Sequence, residues 1–210
     1  MEARFKTLGT CRAHMRAEGT VGGRCRNDEV NEGVPSADQI DRFGQAARKS
    51  GATVESLRCE PEDVLAAAAS AVAGAGTVIL ADPTGLPLEV RGALRRIPHV
   101  VLNPTDDDLS TAGAGITEAF AGVSTTGSIC VRVDDRLTGF ASLMAPLHVA
   151  ILRAACLVER PSDVLSSENA GAVGTTSDFV FVTGPSATAD MGPLVRGVHG
   201  PHRLHIIVLE

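Results

Sequence analysis

Asp178-Phe-Val-Phe-Val182 runs into Thr183-Gly-Pro-Ser-Ala-Thr-Ala-Asp190, and Gly197-Val-His-Gly-Pro201 leads into the apolar run Leu204 to Leu209. This stretch decides the fold. Two strand-length apolar runs flank a connection rich in Gly, Pro and Ser, the pattern of strands joined by turns and loops. The rest of the chain repeats the theme with helices between the strands. Ser36-Ala-Asp-Gln39 has the form of a capping box, Ile40, Phe43 and Ala47 follow at helical spacing, and Gly51 closes that helix. A strand over Ala52 to Leu57 comes next. Pro61 opens an Ala-rich helix that runs to about Ala73. Thr77 to Ala81 reads as a buried strand, Leu86 to Ile97 as a helix and His99 to Leu102 as a strand. Phe120 to Ser124 and Ser128 to Val133 are two short strands about a turn, and Leu147 to Arg153 is another strand. Pro161 to Asn169 reads as a helix, and Phe179 to Thr183 and Leu204 to Leu209 are the last two strands. Alternating strands and helices predict an α/β fold of three layers, α/β/α, with a mostly parallel central sheet.

Composition supports this architecture. The chain has 210 residues and 44% apolar content, with six Phe, no Trp and no Tyr, so the core must be built of small and branched aliphatics. Such residues suit strands covered by helices on both faces. Residues 1–34 are Gly- and Arg-rich without periodicity and read as a loosely ordered tail with a short helix near Ala3 to Met15; the folded domain is expected over 35–210. The formal charge of -6 and the absence of a basic stripe argue against nucleic acid, and the scarcity of aromatics argues against a base-stacking platform. The longest uncharged run, Leu65 to Ala81, falls short of the roughly 20 residues a membrane span needs. The five cysteines, Cys11, Cys25, Cys59, Cys130 and Cys156, include no Cys-x-x-Cys pair, so local spacing offers neither a zinc knuckle nor an iron–sulfur cluster. Cys130 and Cys156 read as buried structural residues, and a reducing, cytoplasmic setting fits.

Four segments could carry chemistry. In the loop after Val182, Gly184 permits close backbone approach, and Ser186, Thr188 and nearby N–H groups could hold an anion if the strand ends at a switch point. An ordinary strand-to-helix loop is the equal alternative. Gly184-Pro-Ser186-Ala-Thr188 also resembles a nucleophile elbow without its last Gly, with Asp190 and His199 as triad partners. Gly197-Val-His199-Gly-Pro201-His202-Arg-Leu-His205 invites a metal reading, but Gly200-Pro201 breaks any helix and a strand would turn His202 away from His199 and His205. A tight turn is favoured, with no metal, and His199 stays a candidate ligand contact. Gly122-Val-Ser-Thr-Thr126-Gly127-Ser128 offers small residues and hydroxyls at a turn. His148 enters an apolar strand as a core or rim histidine, and Asp106-Asp-Asp108 reads as a solvated helix start. The predicted ligand-binding set is therefore Thr126, Gly127, Ser128, His148, Gly184, Ser186, Thr188, Asp190 and His199, with the catalytic residues unknown.

Taken in order, Ile116-Thr117, Ser124-Thr-Thr-Gly-Ser128, Pro146-Leu-His-Val149, Gly184-Pro-Ser186, Thr188-Ala-Asp190 and Gly197-Val-His-Gly-Pro201 resemble the LUD-domain family, in its lactate utilisation protein C branch. The resemblance runs from about Pro35 to the C-terminus and implies a NagB/RpiA/CoA-transferase-like architecture. It also implies a part in oxidising L-lactate to pyruvate beside iron–sulfur oxidoreductase subunits, with no cofactor in this chain. The family commonly has Glu-Thr-Gly-Thr where Thr125-Thr126-Gly127-Ser128 stands, Arg where Ala187 stands, and an acidic residue where Gly192 stands. A carboxylate nucleophile at 125 and an arginine clamp at 187 are thus absent. The resemblance so modified implies an accessory or ligand-binding subunit. Small-molecule enzymes acting on a phosphorylated sugar, hydroxy acid or acyl thioester, and a serine hydrolase, stay as alternatives. A small anionic metabolite is the expected ligand, and the Gly/Ala-rich composition is compatible with a homo-oligomer.

Overall fold

The computed structural model describes residues 35–133, 135–166, 178–188, 195–197 and 199–210. The predicted tail over 1–34, the end of the predicted helix beyond Ser166, Asp190 and Gly192 lie outside these residues.

Helix α1 (Ala37–Lys49) starts where the Ser36 hydroxyl accepts the Gln39 N–H, carries Asp38 in its first turn and Arg48 and Lys49 in its last, and buries Phe43 and Ala47. Strand β1 (Thr53–Leu57) follows. Helix α2 (Pro61–Ala71) begins on Pro61 and buries Val64, Ala67 and Ala68. Then come β2 (Thr77–Leu80), α3 (Leu88–Leu94), β3 (Val100–Val101), α4 (Asp106–Thr111) and β4 (Ala112–Ala119). The acidic run Asp106 to Asp108 does open a helix, with Thr105 and Asp108 forming a reciprocal capping box. The hairpin expected about Thr125 to Gly127 is β5 (Ala121–Val123) against β6 (Ser128–Arg132), antiparallel. The chain continues through α5 (Arg136–Leu143), β7 (Leu147–Arg153), β8 (Leu157–Val158), α6 (Pro161–Val164), β9 (Phe179–Val182), β10 (Ala187–Thr188), β11 (Val195–Arg196) and β12 (Arg203–Leu209).

Six strands form the central sheet in the order β1-β12-β7-β4-β2-β3, and every pairing is parallel. Helices α2 and α3 cover one face, where Val64, Val90 and Leu94 meet Val78, Leu80, Ile116, Val149, Ile151 and Ile207. The opposite face is covered in two parts. Helices α4 and α5 pack through Leu109 and Ala141 on Ile79, and α1 packs with a smaller sheet on Ala150, Leu152, Ile206 and Val208. The smaller sheet, β8-β5-β6-β9, is mixed. The molecule is thus a three-layer α/β/α fold in which part of one outer layer is a second sheet.

Among the elements without a sequence expectation, β4 and α5 explain each other. β4 is the strand Ala112-Gly-Ala-Gly-Ile-Thr-Glu-Ala119, whose glycines look like a loop. A Cβ on Gly115 would collide with the Ala141 carbonyl of α5, and one on Gly113 with the Ala75 carbonyl. Glycine is needed there for backbone-to-backbone approach, not for turning. α5 lacks an apolar stripe but has a sound start, with the Asp135 carboxylate accepting both the N–H and the hydroxyl of Thr138, at 2.7 and 2.6 Å.

Candidate functional site

From sequence, the loop after β9 reads equally as a site at a switch point of the main sheet and as an ordinary strand-to-helix loop. Its strand instead lies in the small mixed sheet, so the rule for parallel sheets does not apply to it. The loop travels to the rim where the central strands begin. The Ser186 N–H donates to the Pro201 carbonyl (2.9 Å), the Gly197 N–H donates to the Ser186 carbonyl (2.9 Å), and the His202 N–H donates to the Pro146 carbonyl (2.8 Å) just before β7. The short β10–β11 pairing joins Ala187 to Arg196 and Thr188 to Val195. Gly184-Pro-Ser186 and Gly197-Val-His-Gly-Pro201 are therefore one structural unit with Ser186 at its centre.

The Ser186 Oγ accepts the His199 backbone N–H at 3.3 Å. The contact between these two residues is through the main chain of His199, not its imidazole, so it anchors a turn and does not describe a serine–histidine pair. His199 is exposed. Gly197, at φ +79, leaves room for the His202 ring, which any Cβ there would strike.

Thr126, Gly127, Ser128 and Gly184 gather at a second place, the C-terminal end of α1. Ser128 Oγ lies 2.7 Å from both Thr126 Oγ1 and Thr183 Oγ1, a chain of three hydroxyls across β6 and β9. Gly127 (φ +67) abuts Ala47 and Gly184 (φ +74) abuts the Ser50 carbonyl. Both glycines are pressed against α1. The Thr125 hydroxyl donates to the Glu159 carbonyl at 2.8 Å and ties the turn to the segment after β8.

His148 is fully buried on the face beneath α1 and α5, in register with Gly115 of β4 and Leu204 of β12. Its Nε2 is 2.8 Å from the Thr117 hydroxyl, while Nδ1 has no hydrogen-bond partner. Burial pushes its pKa down to about 4, so the ring is neutral at physiological pH. Of the cysteines, Cys130 is buried and its thiol is pushed up to about 12 by desolvation. Cys156, expected to be buried, is half-exposed on the turn Ala154–Cys156.

Sequence reasoning missed two places. The first is the switch point itself, between the C-terminal ends of β2 and β4, whose onward connections leave on opposite faces through α3 and α5. There Glu118 accepts the Gly85 N–H at 2.7 Å, and Asp82 pairs with Arg91 at 2.8 Å and Arg95 at 3.2 Å. Finding it required β4, and β4 was hidden by its glycines. The second is an open cavity of about 260 Å³ at the N-terminal rim, between the starts of β1, β7 and β12, with His202, Arg203 and His205 in its wall. Its signal was present as three basic side chains within four residues. Among the described residues no cluster of His, Cys, Asp and Glu is arranged to hold a metal ion, and no helix is long and apolar enough to cross a membrane.

Known proteins resemble this chain in sequence and in fold. Lactate utilization protein C of Oceanobacillus iheyensis is 30% identical over 103 residues, which take in 47% of this chain and 44% of that protein. The match thus spans less than half the relative's length. The crystal structure of a DUF162 family protein from Deinococcus radiodurans superposes with a TM-score of 0.61 over 83% of this chain and 98% of that one, at 24% identity, which speaks for the fold. Residues 99–209, more than half of the chain and the part that holds the hairpin, His148 and both rim motifs, match the LUD domain family. The chain belongs to the LUD-domain family.

Proposed function

We propose that this protein is a component of a lactate-utilisation system, in which it serves as an accessory or ligand-binding subunit beside iron–sulfur partner proteins. The observation that carries this reading is the 30% identity with lactate utilization protein C over 103 residues, beside the match of residues 99–209, which hold the rim motifs, to the LUD domain. Two features favour a binding over a catalytic role. Thr125 and Ala187 supply no charged group, and the Thr126, Ser128 and Thr183 hydroxyls are satisfied by one another. Glycines 127, 184 and 197 have structural reasons to be glycine, so these motifs support the shape of the site as much as its chemistry. In this reading electrons travel through clusters on the partners, because the five cysteines of this chain have no cluster spacing.

The test is affinity purification of the tagged protein from its own cells grown on L-lactate. The expected result is co-purification of iron–sulfur oxidoreductase subunits, and loss of growth on L-lactate when the gene is deleted. A protein that stays alone under gentle lysis, in cells whose lactate growth survives its deletion, overturns the proposal.

A further inference from the structure

The open cavity at the N-terminal rim lies immediately beside the unit formed by the two rim motifs. Its wall has two characters. Leu147 and Ala71, on the face covered by α2, give an apolar side, and His202, Arg203 and His205 give a polar one. A volume of about 260 Å³ falls just below the range of drug-sized pockets and suits a small metabolite.

The polar side is organised. His205 is held by its Nδ1, 2.7 Å from the Thr53 hydroxyl, and desolvation keeps its pKa below the ordinary value. The Glu55 carboxylate stands 3.8 Å from the other ring nitrogen and so is directed at the histidine. His202 is packed against Gly197 and held by its backbone bond to Pro146. Arg203 is exposed and makes no ion pair among the described residues, whereas Arg42, Arg91, Arg95, Arg96 and Arg136 all do. In a chain of net charge -6, an unpaired guanidinium at the mouth of a half-apolar cavity favours an anion there and offers a planar fork that matches a carboxylate.

From this juxtaposition we infer that the rim cavity is a binding site for a short-chain carboxylate, with the carboxylate on Arg203 and His202 and the carbon chain against Leu147 and Ala71. The site rests on the ligand-binding part of the function proposed above and names its ligand class. It also gives the Gly197-Val-His-Gly-Pro201 turn a purpose beyond closure, because Gly197 sets His202 at the cavity mouth.

Isothermal titration calorimetry of the full chain with L-lactate, pyruvate and inorganic phosphate tests the inference. The expected result is saturable binding of at least one of the two carboxylates at millimolar concentration. Arg203→Gln should weaken it by about tenfold or more. Ala71→Leu, which fills the apolar side from a helical position, should abolish it without lowering the melting temperature. Arg58→Gln, at the opposite rim, should leave it unchanged. No carboxylate binding, binding of phosphate alone, or carboxylate binding indifferent to both cavity variants overturns the assignment. The outcome is separable from that of the purification experiment: partners captured by a protein that binds no carboxylate sink the cavity site and leave the lactate-system reading standing. Carboxylate binding without partners does the reverse.

Discussion

Acidification should destabilise this protein, and one identifiable side chain should carry much of the loss. His148 ionises at about 4 in the folded state against an ordinary 6.5, because its ring is wholly buried. The folded value is depressed, so the unfolded chain binds the extra proton first. The stability tied to the neutral ring is fully present above pH 6.5 and is lost as the pH falls from there towards 4. A difference of about 2.5 units corresponds to about 3.4 kcal/mol in the acid limit, and about 2 kcal/mol of this is gone by pH 5. His205, also depressed, adds a loss of the same sign, so the wild-type curve alone does not isolate His148. The comparison that does is with His148→Leu/Thr117→Val, which removes both partners of the buried hydrogen bond and leaves no orphaned hydroxyl. Urea unfolding followed by circular dichroism from pH 7.5 to 4.5 measures both. The wild type should lose about 2 kcal/mol more than the variant between pH 7 and pH 5. Parallel curves would refute the reasoning and mean that the ring is hydrated or partnered.

Glycine-to-alanine substitutions should split by sign. Gly115→Ala and Gly113→Ala drive a methyl into a backbone carbonyl and should cost about 2 kcal/mol or more in urea unfolding, whereas Gly139→Ala and Gly92→Ala, in helices with open space at the Cβ, should stabilise by about 0.5–1 kcal/mol. Thr105→Ala removes the α4 capping box and should cost about 1 kcal/mol. A double-mutant cycle of Ser128→Ala and Thr183→Ala should give a coupling of about 1 kcal/mol, and additive effects would show that the hydroxyl chain does not hold β6 to β9.

The legible part of the fold was the part written in periodicity. Phe43 and Ala47, the branched run from Thr77 to Leu80 and the strand from Leu147 to Arg153 announce their elements because apolar spacing alone specifies them. β4 was silent because its identity depends on tertiary contact. Gly113 and Gly115 are strand residues only where Ala75 and Ala141 press on them, and no local pattern reveals that. The motifs at Gly184 and Gly197 were located in sequence, but their meeting through the Ser186 main chain was not readable from spacing, and the sheet that β9 joins was misassigned. With β9 placed in the small sheet, the switch point moves to Gly85 and Glu118, residues that carry no motif.

The two bare contacts on β4 also have a mechanical consequence. At Gly115 the helix α5 rests on the sheet without an intervening side chain, and at Gly113 the turn before β2 does the same. Most layers in a protein can shear slightly, because interleaved side chains change rotamer as the elements slip. A contact between main chains has no such slack: α5 and β4 must travel together as one rigid piece. Any motion that accompanies ligand or partner binding therefore has to be found at the rims, where the loops and not the layers meet.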